Sequence, residues 1–273
     1  MAKIFQNPDD LLHDYFKSHH ETSPSDDALL LLKGFIEGGL RWRDDKVVDF
    51  AKSVMTRANF DVCDLAENFL GIDVYITDLS SYDERADAPV FGIARPASQT
   101  IEICQRAEKY EPLFRSTVMH EVAHIVKHSR GRKGAMHYAP AAKHRPQEEM
   151  EADRFMADAL LPLPILFLSV FALAQQMALN PIEAFACADS SRGQFQWKNF
   201  YFTPLINQLC VSRELIAISL RHYRFISERT LEYHRSYSLS TKWRKAAPGF
   251  NFRHAAMQVA RTFGLNQARR AKC

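Results

Sequence analysis

Apolar positions recur along this chain with two different periods, and each period places an element. Val118, Val122 and Ile125 fall at i, i+4 and i+7, the spacing of a buried helical stripe. Pro112 suits a first-turn position, neither Gly nor Pro interrupts Leu113 to His128, and Gly131 offers a stop, so a helix is predicted over 113–128. A second helix is predicted over 148–161, opened by Pro146, closed by Pro162 and striped by Ala152, Phe155 and Ala159. The other period is two. Ile101 and Ile103 alternate with Thr100 and Glu102, as in a half-buried strand, and Val90 to Cys104 reads as two short strands ahead of the first helix.

Leu160 to Leu179 carries no formal charge over twenty residues, near the length of a bilayer span. Pro162 and Pro164 interrupt its start, Gln175 and Gln176 occupy its end, and its first residues belong to the preceding helix. A buried helix under the active site is expected, and no membrane span.

The first predicted helix carries His120-Glu121-Val122-Ala123-His124. Residues four apart share a helix face, so both imidazoles can reach one ion while Glu121 stands beside the water that such an ion activates. Taken alone, the pattern also fits two helix histidines with no metal, and a third ligand decides between the readings. His128 continues the rhythm, but eight residues put it about 12 Å along the axis from His120. Nitrogens sharing a zinc each lie about 2 Å from it, so His128 is read as a helix-end cation that favours the dipole. A longer motif with Gly and a third His fails, because Lys127 and Arg130 occupy those places. A carboxylate from the second helix remains. Glu149 and Asp153 share a face, so Glu149 can complete the triad while Asp153, one turn on, accepts the outward N–H of a ligand histidine.

His120 to His124, followed by Glu149-Met150-Glu151-Ala152-Asp153-Arg154-Phe155-Met156-Ala157-Asp158-Ala159-Leu160-Leu161-Pro162, resembles the ImmA/IrrE-type metallopeptidases. The second motif of these gluzincins reads roughly E-x-E-A-N/D-x-F-A-A-x-L-L-M-P. Aligning the closing Leu-Leu-Pro carries the metal-ligand role onto Glu149 and the supporting role onto Asp153. Glu151 matches a glutamate that the family often has but does not need for the metal, and is the alternative ligand. Met156 stands in place of Ala, and Ala159-Leu160-Leu161-Pro162 in place of Leu-Leu-Met-Pro; neither departure removes a ligand. Upstream, Leu65 to Leu70 followed by Gly71-Ile72-Asp73-Val74-Tyr75-Ile76 is similar to the family's helix and first strand, and the likeness covers residues 45–235.

The resemblance implies an α+β fold, a mostly helical, minimal zincin-like metallopeptidase with a small mixed sheet and a helical C-terminal extension. Its implied parts are an N-terminal helical extension (1–45), the metallopeptidase domain (46–235) and a basic C-terminal helical tail (236–273). It implies one catalytic Zn2+, or another divalent ion, held by His120, His124 and Glu149, with Glu121 as general base and acid. The implied activity is a cytoplasmic endopeptidase acting on a protein substrate, a helix-turn-helix transcriptional repressor, to control gene expression. Zincin folds hold the substrate backbone as an added strand, and Thr100 to Cys104 is expected to be the edge that takes it; a sheet strand with no substrate role is the competing reading. His137, Tyr138 and His144 are candidates for the oxyanion partner, with none preferred.

Composition fits a catalytic domain. With 273 residues, 47% of them hydrophobic and 25% charged, the chain has the make-up of an ordinary globular protein and can bury about three quarters of its unfolded surface. Cys63, Cys104, Cys187, Cys210 and Cys273 are odd in number and contain no C-x-x-C pair, which points to reduced thiols of a cytosolic protein and away from a zinc–thiolate site. The first ten residues hold no apolar run of the kind a signal peptide needs, so export is not expected.

The net charge of +3 conceals an asymmetry, because residues 213–273 carry +10 and the remainder −7. Lys242, Arg244, Lys245, Arg261, Arg269, Arg270 and Lys272 can displace phosphate counterions in a nucleic-acid contact, or form a solvated helical face. Val211 to Leu220 resembles the family's helical region after the catalytic core, and Phe252 to Leu265 offers a further helix. These features support an alternative function, a regulator- or DNA-binding module with weak or no proteolysis. The segment 129–147 holds Arg130, Arg132, Lys133, Lys143 and Arg145 with no acidic residue. Because it joins the two ligand helices, it is expected to favour an acidic segment in the substrate, with a mobile, merely soluble loop as the competing reading.

Overall fold

The computed structural model describes residues 7–36, 44–82, 89–128, 136–138, 146–177, 181–227, 229–231 and 234. The basic tail 236–273, Gly131, His144 and the five cations of the 129–147 segment lie outside them, so the expectations attached to those residues do too. The helices are α1 (Pro8–Ser18), α2 (Pro24–Ile36), α3 (Asp45–Arg57), α4 (Val62–Asp64), α5 (Gln105–Glu108), α6 (Glu111–His128) and α7 (Gln147–Leu160). Then come α8 (Leu163–Gln176), α9 (Pro181–Ala186), α10 (Ser191–Gln196), α11 (Phe202–Leu209) and α12 (Arg213–His222), with π-helical turns at Leu65–Phe69 and Trp197–Tyr201. Four strands, β1 (Asp73–Thr77), β2 (Gly92–Arg95), β3 (Thr100–Cys104) and β4 (Met136–Tyr138), make one small mixed sheet. The architecture is α+β and mostly helical. The chain divides into two compact units, residues 1–27 with 58–163, and residues 28–57 with 164–273.

In the first unit, α1 begins on Asn7, whose side chain accepts from the Asp9 amide at 3.0 Å, and buries Leu11, Leu12, Tyr15 and Phe16. Tyr15 donates to Asp64 Oδ2 at 2.7 Å and sets its ring against Phe60 and Phe69, which ties α1 to α4 and the turn that follows. Gly71 takes a φ of 68°, a left-handed conformation that ends a helix without steric penalty only when no Cβ is present. Ile72 alone separates it from β1.

The sheet order is β1-β3-β2-β4. β1 runs parallel to β3 with Val74 opposite Ile101 and Ile76 opposite Ile103; β2 runs antiparallel to both β3 and β4. The turn Pro96–Gln99 joins β2 to β3, with Gln99 at φ 54°. This order corrects the expected role of Thr100 to Cys104. β3 is an interior strand whose backbone groups are taken up by β1 on one side and β2 on the other, so no extended peptide can add to it. Among the described residues, the open edges belong to β1 and β4.

Helix α6 lies on the sheet against β2 and β3 and beside α7. Val118, Val122 and Ile125 are buried, as their spacing predicts, and so is every other residue from Arg115 to Val126. Such all-round burial belongs to a core helix, and the polar residues it takes inside, Thr117, His120, Glu121 and His124, are 0% exposed. On α7, the predicted stripe of Ala152, Phe155 and Ala159 is buried.

In the second unit, α8 carries the uncharged stretch and buries Ile165, Leu166, Leu168, Val170, Ala172, Leu173 and Ala174. No single helix among the described residues is long and apolar enough to cross a membrane. The fully buried Trp197 donates its indole N–H to Ala184 O at 2.8 Å, and α12 starts on Ser212, whose hydroxyl accepts from the Leu215 amide at 3.0 Å.

Candidate metal centre

Two turns of α6 and the first turn of α7 meet at one point. His120 Nε2 lies 3.1 Å from His124 Nε2 and 3.2 Å from Glu149 Oε2, and His124 Nε2 lies 3.1 Å from Glu149 Oε1. The helix period explains the first pair: residues four apart stack on one face, so both rings turn the same nitrogen towards α7. Pro146 precedes α7 and leaves Glu149 in its first turn. Among the described residues, His120, His124 and Glu149 form a group that can hold a metal ion.

The spacing fits an ion of the expected size. Ligands arranged tetrahedrally at about 2.0–2.1 Å from an ion stand about 3.3–3.4 Å apart. The three observed edges, 3.1, 3.2 and 3.1 Å, need only slight expansion. The three residues offer two imidazole nitrogens and a carboxylate, a donor set that fills three positions of a tetrahedral ion and leaves a fourth open.

The outward face of the site is also built. Asp153 Oδ1 lies 3.1 Å from His120 Nδ1, where a carboxylate favours a proton on Nδ1, the form in which Nε2 could donate its lone pair to an ion. Burial works against protonation of His120, but the carboxylates of Asp153 and Glu149 outweigh it and push the ring up to about 9. Burial raises Glu149, yet hydrogen bonding to His120 and His124 outweighs this and holds its carboxyl well below the usual carboxylate range. His124 is pushed down, first by burial. A site that draws a proton between two carboxylates in this way also attracts a cation, and the two compete for the same nitrogen.

Glu121 stands beside this group without joining it. Both of its oxygens are buried and make no hydrogen bond of ordinary geometry among the described residues. Burial pushes its carboxyl up to about 8; the charge on His120 opposes the rise, Glu149 adds to it, and the Ala94 backbone on β2 favours the charged form. The strand passes so close that a Cβ on Gly92 would fall 2.6 Å from Glu121 Oε1.

His128 ends α6, and its Nε2 lies 3.9 Å from Glu151 Oε2. Glu151 therefore faces the next turn of α6, outside the group formed by His120, His124 and Glu149. For His137 and Tyr138, only the backbone within β4 is described. Gly92, Ala94 and Thr117, which surround Glu121, had no place in the sequence-based site. The available signal was the glycine inside a strand pattern, a recurrent mark of close backbone approach. No family model, curated protein or solved structure matches this chain.

Proposed function

We propose that the chain is a zinc-dependent endopeptidase of the minimal zincin type, in line with its resemblance to the ImmA/IrrE metallopeptidases. The observation that carries this reading is the convergence of His120 Nε2, His124 Nε2 and the Glu149 carboxylate at separations of 3.1–3.2 Å. A Zn2+ held by these three residues, when bound, would supply the Lewis acidity that polarises a peptide carbonyl and acidifies water.

The chain's own residues do the rest. Glu121, a buried carboxyl with raised proton affinity, takes a proton from the attacking water and returns it to the departing amine. Asp153 orients the His120 ring, and the His120 Nε2 lone pair is thereby kept on the inner side. Burial of α6 keeps bulk water from competing for these groups. Because β3 is interior, the edge that an extended substrate segment has to pair with on this side of the sheet is, among the described residues, the outer edge of β4. The substrate, by resemblance, is a helix-turn-helix transcriptional regulator, and the site of action is the cytoplasm.

The test is metal analysis and hydrolysis with the wild type and Glu121→Gln. One zinc per chain in both proteins, with hydrolysis reduced by about 10²–10⁴ in the variant, supports the reading. Absence of stoichiometric metal, or undiminished hydrolysis by Glu121→Gln, overturns it. The same variant, retaining metal and substrate without turnover, serves as the trap for identifying the regulator.

A further inference from the structure

Gly92 sits inside the sheet, opposite Ile103 of β3 on one side and Tyr138 of β4 on the other. A Cβ placed there would lie 2.6 Å from Glu121 Oε1, 2.9 Å from Glu121 Cγ and 2.6 Å from Thr117 Cγ2. Carbon atoms in contact stand about 3.5–4.0 Å apart, so a methyl group at position 92 would displace its neighbours by about 1 Å. Backbone conformation does not demand this glycine, since Gly71 alone among the described glycines has a positive φ. What the position demands is space.

Two residues claim that space. Thr117, one turn before Glu121 on α6, marks ordinary packing of helix on sheet. Glu121 marks something more specific, because its carboxylate lies against the strand and its distance from the convergence of His120, His124 and Glu149 depends on how closely the strand lets it sit. We propose that Gly92 is a positioning residue for Glu121: the absence of a side chain in β2 sets the location of the general base. This inference rests on the peptidase reading and extends it to a residue outside the group His120, His124 and Glu149. A displacement of about 1 Å of a catalytic group lowers turnover by as much as about 10²-fold.

Thr117→Ser separates the two claims, because it removes Cγ2 and keeps the hydroxyl that donates to Leu113 O at 2.8 Å. The proteins to compare are the full chain as wild type, Thr117→Ser, Gly92→Ala and Gly92→Ala/Thr117→Ser, each loaded with Co2+. Acetohydroxamic acid is the probe, since it binds as an anion and must hand its proton to a nearby base; its binding is followed by visible absorption. The expected result is one Co2+ per chain and a wild-type melting temperature in the double variant, with hydroxamate affinity lowered at least tenfold. Its kcat should fall by a similar factor at unchanged KM. Wild-type hydroxamate affinity and kcat in the double variant would overturn the proposal, leaving Gly92 a packing residue against Thr117. Failure of the double variant to take up Co2+ would overturn it as well, because the glycine would then serve the fold and not Glu121. A wild type that takes up no Co2+ would instead remove the peptidase reading, and this inference with it.

Discussion

Asp153 Oδ1 lies 3.1 Å from His120 Nδ1, on the ring edge opposite the Nε2 that meets Glu149 Oε2 at 3.2 Å. The histidine is thus held between two carboxylates from successive turns of α7. Asp153→Asn preserves size and an acceptor oxygen but removes the charge that makes the ring a strong donor. The expected outcome is a metal affinity lower by about 10–100-fold with the fold intact. Competition with a chromogenic chelator measures this, and an unchanged affinity would show that Asp153 does not support the ligand.

Glu149 and Glu151 are two residues apart on α7 and face different partners, the first His120 and His124, the second His128 at 3.9 Å. Glu149→Gln should lose more than the about 10–100-fold that an outer partner contributes, whereas Glu151→Gln should retain metal within about threefold. Equilibrium dialysis of both variants against zinc decides. Equal losses would place the two carboxylates in one site.

How much of this was legible in the sequence depends on the range of the interaction. The His120/His124 pair needs only the helix period, and a carboxylate partner needs only a second amphipathic helix bounded by Pro146 and Pro162, whereas preferring Glu149 to Glu151 on that helix needs the family resemblance as well. The position of β3 is not local. Alternation of Ile101 and Ile103 tells which face is apolar but not how many neighbours the strand has, and the parallel partner β1 lies across a long connection. Burial of α6 on all sides was likewise hidden, because the three-residue stripe shows one apolar face, while His120, Glu121 and Thr117 are turned inward for the site. The π-helical turn at Leu65–Phe69 has no compositional mark at all. Gly92 was visible as a glycine in a strand, but the residue it approaches is decided by how the sheet meets the helix.

Tyr15 and Asp64 join α1 to α4 through a hydrogen bond of 2.7 Å. Hydrogen bonds from Asn68 and Tyr15 hold the Asp64 carboxyl below its ordinary value of 3.8. A carboxyl whose folded pKa is depressed contributes stability above its unfolded pKa, and that contribution disappears as pH falls through the lower folded value. Tyr15→Phe should therefore destabilise the protein by about 1 kcal/mol at neutral pH, with the difference narrowing below the ordinary carboxyl value. Urea unfolding of both proteins at pH 7 and pH 3 reads this directly. A difference that stays constant across that range would show that the hydroxyl does not act through the charge on Asp64.

Cys63 is half-buried at the start of α4, where burial, then the charges of Asp61 and Glu67, push its thiol up to about 11, opposed by Arg115. Only the thiolate is nucleophilic. At pH 8 the rise from the ordinary value of 9.0 to about 11 leaves roughly a hundredth of the thiolate that an unperturbed cysteine would have. Cys63 should therefore resist iodoacetamide at that pH. Asp61 also caps α4 by accepting from the Cys63 and Asp64 amides at 2.8 and 3.2 Å. Asp61→Asn keeps an oxygen for that cap and removes one charge, so it should speed alkylation of Cys63 about two- to fivefold without loss of stability, the remaining resistance being due to burial. Peptide mapping by mass spectrometry after timed alkylation gives both rates. An unchanged rate in Asp61→Asn would leave burial alone as the cause, and rapid labelling of the wild type would remove the shift itself.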